Sequence, residues 1–124
     1  MNDIQTREDI LLIMRKFYDK LLADDSISHF FTKTTDVSNH LEEHFETLAT
    51  FWEQALFLKG GYKNNMFQKH LDVHEQSPFK KRHYETWLHH LYTTLDEYFQ
   101  GENAEQMKTM SLSMATIMEI KFKH

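Results

Sequence analysis

Histidine is the residue type in this chain with the clearest chemical potential, since nine of the 124 residues are His. A neutral imidazole can offer one ring nitrogen to a metal while the other nitrogen donates a hydrogen bond. Two pairs, His40/His44 and His70/His74, have the i,i+4 spacing that places both members on one helix face. With a glutamate close to each pair, the pairs could hold a metal between neighbouring helices, although the Glu-x-x-His pattern of di-iron carboxylate bundles is missing.

Three further side chains, Tyr18, His44 and Trp87, fall on apolar stripes that we expect to face inward. Each brings a polar group that must find a hydrogen-bond partner when it is buried. One polar ligand in an apolar pocket would satisfy all three groups. The alternative is a helical interaction module without a cofactor, in which these groups bond one another or the backbone and the Met-rich last helix is core or a partner-binding face.

Long helices must position these residues, because only three Gly and one Pro interrupt the chain and apolar residues recur at helical spacing. We predict an all-α domain over residues 1–124, with four substantial helices, a short helix carrying Phe31 inward and no strand. Residues 62–76 have poor periodicity and are predicted to be largely irregular. The boundary signals are a capping box at Thr6/Asp9, a stop at Gly60–Gly61, a start at Ser77–Pro78, and a last start at Asn103/Gln106, after which Met107, Met110, Met114, Ile117 and Met118 form the inner face.

The overall composition excludes several classes of function. A net charge of −5 argues against nucleic-acid binding, which usually rests on a concentrated basic surface. The longest aliphatic run, Ile10 to Met14, is too short to span a membrane, and the acidic start is unlike a secretory signal. The absence of Cys excludes disulfides and thiolate chemistry. We expect a cytoplasmic protein, with a monomer favoured.

His70 is the candidate for binding a larger cofactor. It follows the apolar pair Met66–Phe67, and imidazole is the commonest protein ligand of haem iron. His74 could serve in the same way. Ten Phe residues in so short a chain could line an apolar slot for a macrocycle, although a plain aromatic core would also account for them.

Several motifs in a fixed order carry a family resemblance across nearly the whole chain. They are Phe17-Tyr18, Phe31, Glu43-His44-Phe45, Phe51-Trp52, the stretch from Gly60 to His70, and His83-Tyr84-Glu85-Thr86-Trp87-Leu88. In this order and spacing they resemble the truncated haemoglobins, and within them group III. The loop departs from that pattern at Asn64, where relatives often have Gly, and at Met66, where they often have Pro.

The resemblance implies a truncated globin-like 2-over-2 helical sandwich around haem b, with His70 as the iron ligand. Tyr18, His44 and Trp87 would then form the distal ligand-binding side. The expected cofactor contacts are Phe31, Phe45, Leu48, Phe67, Lys69, Arg82 and Trp87, with the two basic residues pairing with the propionates. Binding of O₂, NO or CO is the expected function, with slow O₂ release. NO dioxygenase activity, ligand sensing or peroxidase-like chemistry are the candidate roles, served by a reductase.

Overall fold

A computed structural model describes residues 1–62 and 65–123. The described residues form five α-helices and two short helical turns, with no strand among them, which confirms the all-α prediction. The helices are α1 (Arg7–Ala23), α2 (Leu41–Phe57), α3 (Met66–Gln76), α4 (Lys81–Tyr98) and α5 (Glu102–Lys121), with a π-helical turn at Phe30–Thr34 and a 3₁₀ turn at Val37–Asn39.

Helix α1 begins where its capping signal predicts. The Thr6 hydroxyl accepts a hydrogen bond from the Asp9 amide at 3.2 Å, and the Asp9 carboxylate accepts one from the Thr6 amide at 3.2 Å. This reciprocal pair satisfies two amides that would otherwise lack partners at the helix start. The register that follows buries Ile10, Met14, Phe17, Tyr18 and Leu21 on one face.

Two pairs of helices make the body of the fold. Helix α1 packs on α2 and on α4, while α4 also packs on α5. The core therefore lies between the α1/α2 pair and the α4/α5 pair. The buried face of α1 packs against both α2 and α4. As a result, Tyr18 near the end of α1 lies at the meeting point of helices from both pairs.

The end of α2 differs from the prediction that Gly60–Gly61 stops it. The helix ends at Phe57, and Leu58 adopts the left-handed conformation (φ 60°, ψ 26°) that usually favours glycine. Leu58 is also 90% exposed. The glycines therefore lie beyond the helix end, and Leu58 bears the backbone strain of the turn.

The start of α4 was also predicted wrongly, because Ser77–Pro78 ends α3 and does not begin the next helix. Ser77 is extended (φ −145°, ψ 98°) and its amide donates to the Val73 carbonyl. Proline disfavours helical backbone at the residue before it and supplies no amide to continue the ladder. Helix α4 begins three residues later, at Lys81.

The prediction of irregular structure over residues 62–76 is wrong for most of that stretch. Residues 66–76 form α3, and its start is fixed by Asn65, whose side chain accepts a hydrogen bond from the Gln68 amide at 3.0 Å. Helix α3 is short, with 11 residues, and none of them is fully buried. Its apolar side chains, among them Met66, Phe67 and Leu71, stay partly exposed.

Helix α5 starts at Glu102, one residue earlier than predicted, and its cap comes from the other end of the chain. The Asp3 carboxylate accepts hydrogen bonds from the amides of Asn103 and Ala104, both at 2.9 Å. Gly101 allows this approach, because it has φ 149° and a Cβ there would overlap the Asp3 side chain. Ile117 was predicted on the inner face of α5, but it is 39% exposed, so this part of the prediction is wrong.

Within the described ranges, the helices are all too short or too polar to cross a membrane.

Candidate functional site

His70 is held in a single tautomer by its own helix. Its Nδ1 lies 2.8 Å from the carbonyl oxygen of Met66, one turn earlier in α3. A carbonyl can only accept, so Nδ1 carries the proton and the lone pair is on Nε2. Burial lowers the pKa of His70, although the bond to Met66 opposes that shift, so the ring is neutral near pH 7. No other described residue hydrogen-bonds this imidazole, which thus presents an available nitrogen lone pair.

His74, the other candidate ligand on α3, makes different contacts. Its Nδ1 accepts a hydrogen bond from the Phe79 amide at 2.9 Å, and its ring packs against Phe79 and Phe122 at centroid distances of 5.7 and 5.4 Å. The side chain therefore joins α3 to the segment before α4 and to the end of α5. Between the two histidines, His70 is the one whose orientation leaves a lone pair for a ligand.

The metal-bundle alternative finds no support in this geometry. His40 lies outside α2, is half exposed, and its Nε2 is 3.2 Å from a carboxylate oxygen of Asp36, whereas His44 points to Tyr18. No group of three or more His, Cys, Asp or Glu side chains in residues 1–62 and 65–123 is arranged to hold a metal ion. The two i,i+4 pairs therefore do not converge.

Tyr18 and His44 form a polar pair inside the aromatic interior. The Tyr18 hydroxyl and His44 Nε2 are 2.7 Å apart, a hydrogen bond whose direction depends on the imidazole tautomer. Burial raises the pKa of Tyr18 and keeps the phenol protonated. Burial lowers the pKa of His44 to about 4, and the nearby His70 contributes to that shift. Both groups are thus neutral at pH 7.

Aromatic rings from four elements surround this pair. The Tyr18 ring meets Phe31 of the π-helical turn at 5.3 Å and Phe45 of α2 at 5.4 Å, both edge-on. Phe17 meets Tyr18 at 5.5 Å and Trp87 of α4 at 5.7 Å. Such edge-to-face contacts fix ring orientation as well as burying area. The result is an apolar wall with two polar groups set into it.

The structure therefore brings some of the predicted site residues into one aromatic cluster and places the others outside it. Tyr18, His44, Phe31, Phe45 and Trp87 share the aromatic cluster. The remaining predicted contacts are Leu48, partly buried against the core, Phe67, partly exposed on α3, and Lys69 and Arg82, exposed and without salt bridges in the described residues.

Two contributors were missed from the sequence. The Met66 carbonyl orients His70, and the i−4 spacing would have indicated this had residues 66–76 been predicted helical. Phe79 packs against Phe30 at 4.9 Å and lies 6.4 Å from the His70 ring. Phe79 precedes α4, and its ring connects the π-helical turn to α3.

The cofactor-free alternative explains only part of this arrangement. It predicted that Tyr18, His44 and Trp87 would bond one another or the backbone, and the bond between Tyr18 and His44 agrees with it. The Trp87 indole makes no hydrogen bond to any described residue, and it is only partly buried. That alternative also gives no reason for a neutral His70 with an oriented, unshared lone pair.

The architecture defines a class of protein: an all-α sandwich of two helix pairs, with a buried tyrosine–histidine pair on one side and an oriented imidazole on a separate helix. No family model matches the chain. No curated protein matches it in sequence. Among solved structures, it is similar to the group III truncated hemoglobin from Campylobacter jejuni, with 22% sequence identity, 99% of this chain and 96% of that chain covered, and a TM-score of 0.85. The chain has the truncated globin fold, as the sequence predicted.

Proposed function

We propose that this chain is a haem protein that binds small diatomic ligands such as O₂ and NO, with His70 as the iron ligand. The observation that carries the proposal is the tautomer of His70: the Met66 carbonyl holds the proton on Nδ1 and leaves the lone pair on Nε2. Haem-ligating histidines need this state, and a second group that fixes the ring strengthens the ligand. The fold shared with a group III truncated hemoglobin supports the same cofactor.

The residues of the site fit a large, flat, apolar cofactor. Helix α3 exposes part of an apolar surface, including Met66 and Phe67, and places His70 on the same helix. In the aromatic cluster, the rings of Phe31 and Phe45 contact Tyr18 edge-on. We propose that the macrocycle of haem b contacts these rings together with Leu48, Phe67 and Trp87. Lys69 and Arg82 are proposed to pair with its propionates.

On the distal side, the chain would supply hydrogen-bond donors to a bound diatomic molecule. When bound, haem supplies an iron centre that takes up O₂, NO or CO opposite the histidine. Tyr18 stays protonated because burial raises its pKa, and the half-buried Trp87 indole is always a donor. If His44 donates from Nε2 to the Tyr18 oxygen, the Tyr18 proton is available to a third group. These residues would therefore hold a partly negative ligand atom while excluding water.

The number of donors favours retention of the ligand over rapid release. A hydrogen bond to a charged or partly charged acceptor contributes about 1.5–3 kcal/mol, so one or two donors slow dissociation considerably. We therefore propose ligand sensing or NO detoxification in preference to oxygen carriage, with peroxidase-like chemistry as a further candidate. The lack of Cys agrees with action in the cytoplasm.

Titration of the purified chain with hemin, followed by reduction under CO, tests the cofactor and its ligand together. We expect a saturable, one-to-one Soret change in the parent protein. His70→Ala should abolish the sharp spectrum of the reduced CO complex, whereas His74→Ala, a matched change one turn along α3, should retain it. Loss of this spectrum in His74→Ala but not in His70→Ala would show that His70 is not the iron ligand. No stoichiometric Soret change in the parent protein would refute haem binding.

A further inference from the structure

The basic residues in the described ranges differ in whether a carboxylate pairs with them. Five of them form salt bridges with carboxylates, and these lie on α1, after α2 and on α5: Arg7, Arg15, Lys20, Lys59 and Lys108. By contrast, Lys80, Lys81 and Arg82 are consecutive and exposed, and they form no salt bridge with any described residue. Lys16, Lys33, Lys69, Lys121 and Lys123 also form no salt bridge with a described residue, but only Lys80–Arg82 is a run of three consecutive cations, in a chain with a net charge of −5. Of these three, Lys80 and Lys81 are the two that the proposed function does not pair with a haem propionate.

We define the basic patch as Lys80, Lys81 and Arg82, and two histidine rings lie beside it. The His29 and His83 rings lie 5.7 Å apart at 65°, joining the segment before the π-helical turn to the start of α4. His83 is 6% exposed, and its Nδ1 accepts a hydrogen bond from the Lys80 amide at 2.9 Å. Burial first, and then the charges of Arg82, His29 and Lys80, lower the pKa of His83, so His83 is neutral at pH 7 and adds no charge to the patch.

The position of the patch is unfavourable for the stability of α4. Lys80 is the N-cap residue, and Lys81 to His83 occupy the first turn, which contains no acidic residue. A helix start carries partial positive charge, so cations there destabilise the helix while anions stabilise it. Three other helices, α1, α2 and α5, carry acidic residues in their first turn. The cations at α4 therefore do not serve the stability of their helix.

The patch directly follows Phe79, which lies near the proposed haem ligand His70. Phe79, directly before Lys80, is 6.4 Å from the His70 ring and 4.9 Å from the Phe30 ring. Resting on the proposed haem function, we infer that the basic patch is the docking surface for an acidic electron-donor protein. In this step the reduced donor is oxidised by one electron and the ferric haem is reduced to ferrous. Complementary charge would steer the donor to this one face of an otherwise acidic molecule.

A decaglutamate peptide carrying a fluorescent label serves as a probe of the acidic partner surface. Its binding to the haem-loaded protein is measured by fluorescence anisotropy at low ionic strength. We expect Lys80→Glu/Lys81→Glu to weaken binding by about tenfold and added salt to weaken binding to the parent protein. The matched control is Lys16→Glu/Lys59→Glu, which makes the same change in net charge at exposed sites elsewhere and should bind the peptide as the parent does.

Reduction kinetics provide a second readout with small reductants. Photoreduced flavin mononucleotide carries a phosphate, whereas riboflavin is uncharged. We expect the rate with flavin mononucleotide to fall as salt is added to the parent protein, despite its net charge of −5, and to fall about tenfold in Lys80→Glu/Lys81→Glu. The rate with riboflavin should be equal in all three proteins. Because glutamate suits a helix start, the double variant should not unfold at a lower temperature than the parent.

Equal effects of the two double variants, or no effect of either, would overturn the docking surface. Equally tight binding of a labelled oligonucleotide or of phosphatidylserine vesicles at the same patch would overturn the acidic-protein partner. A failed hemin titration refutes the haem function itself and is seen before any of these experiments. A haem-loaded protein whose patch variants behave like the control refutes only the docking inference.

Discussion

Replacing Tyr18 with Phe removes one hydroxyl group and preserves the ring. The edge-on contacts of that ring with Phe31 and Phe45, at 5.3 and 5.4 Å, should survive the change. What is lost is the 2.7 Å hydrogen bond to His44 and the proposed donor to a bound ligand. Loss of one buried hydrogen bond should lower the free energy of unfolding by about 1 kcal/mol, so the variant will fold.

The effect on ligand release is expected to be larger than the effect on stability. A hydrogen bond to a partly charged acceptor is worth about 1.5–3 kcal/mol, and each 1.4 kcal/mol changes a rate tenfold. If His44 donates to Tyr18, the phenol proton is available to the ligand at no cost. If Tyr18 donates to His44, it must give up that bond first, and the gain is smaller by about 1 kcal/mol. We expect Tyr18→Phe to raise the O₂ dissociation rate by roughly 10- to 150-fold if His44 donates to Tyr18, and by roughly 2- to 30-fold if Tyr18 donates to His44.

Stopped-flow displacement of O₂ by CO from the reduced, haem-loaded protein measures this rate. Tyr92→Phe is the matched control, because its hydroxyl donates to the Lys108 carbonyl at 3.2 Å, between α4 and α5 and away from the aromatic cluster. The control should leave the dissociation rate unchanged. An unchanged rate in Tyr18→Phe, with the spectrum of the parent retained, would refute the role given to Tyr18.

Three further predictions concern the framework of the site. Asp3→Ala removes the cap of α5 and should cost about 1–2 kcal/mol in chemical denaturation, whereas Asp19→Ala, an exposed acid on α1, should cost almost nothing. Hydrogen bonds from Ser26, and then from His90, lower the pKa of Asp24 to about 2. Its stabilisation is therefore complete above the unfolded value of 3.8 and lost as the pH falls toward 2, so Asp24→Asn should be about 1–2 kcal/mol less stable than the parent at pH 6 and nearly equal to it at pH 2. Hemin should slow trypsin cleavage after Lys69 because α3 has no buried residue of its own, and equal cleavage with and without hemin would contradict the proposed contact.

The long helices could be predicted from the sequence because their periodicity reflects burial. Helix α1 shows this most clearly, with a capping box at Thr6 and an inward face from Ile10 to Leu21 that the structure confirms. Helix α3 could not be predicted in this way, because it has only 11 residues, none of them fully buried, and so offers few apolar positions from which to judge a period. The cap at Asn65 was present in the sequence, but it was interpreted as part of a loop.

Contacts between distant parts of the chain were the least predictable features of the site. Tyr18 and His44 could each be named from their stripes and the family resemblance, but their mutual hydrogen bond depends on how α1 crosses α2. The predictions of helix ends were wrong for a related reason. Ser77–Pro78 has the composition of a helix start, yet α3 already occupied the preceding residues, so the same proline ends one helix instead of beginning another.

The cap that Asp3 provides to α5 has a consequence for how the chain folds. Its hydrogen bonds join residues 100 and 101 positions apart, and the Gln100 amide adds a bond to the Asn2 carbonyl at 3.0 Å. Closing a loop of that length costs about 4 kcal/mol in chain entropy, so the contact should form late, after the intervening helices have shortened the effective loop. In refolding experiments, Asp3→Ala should therefore accelerate unfolding and leave the folding rate almost unchanged. Because Asn2 and Asp3 both take part in this contact, an affinity tag is better attached after residue 124 than directly before Asp3.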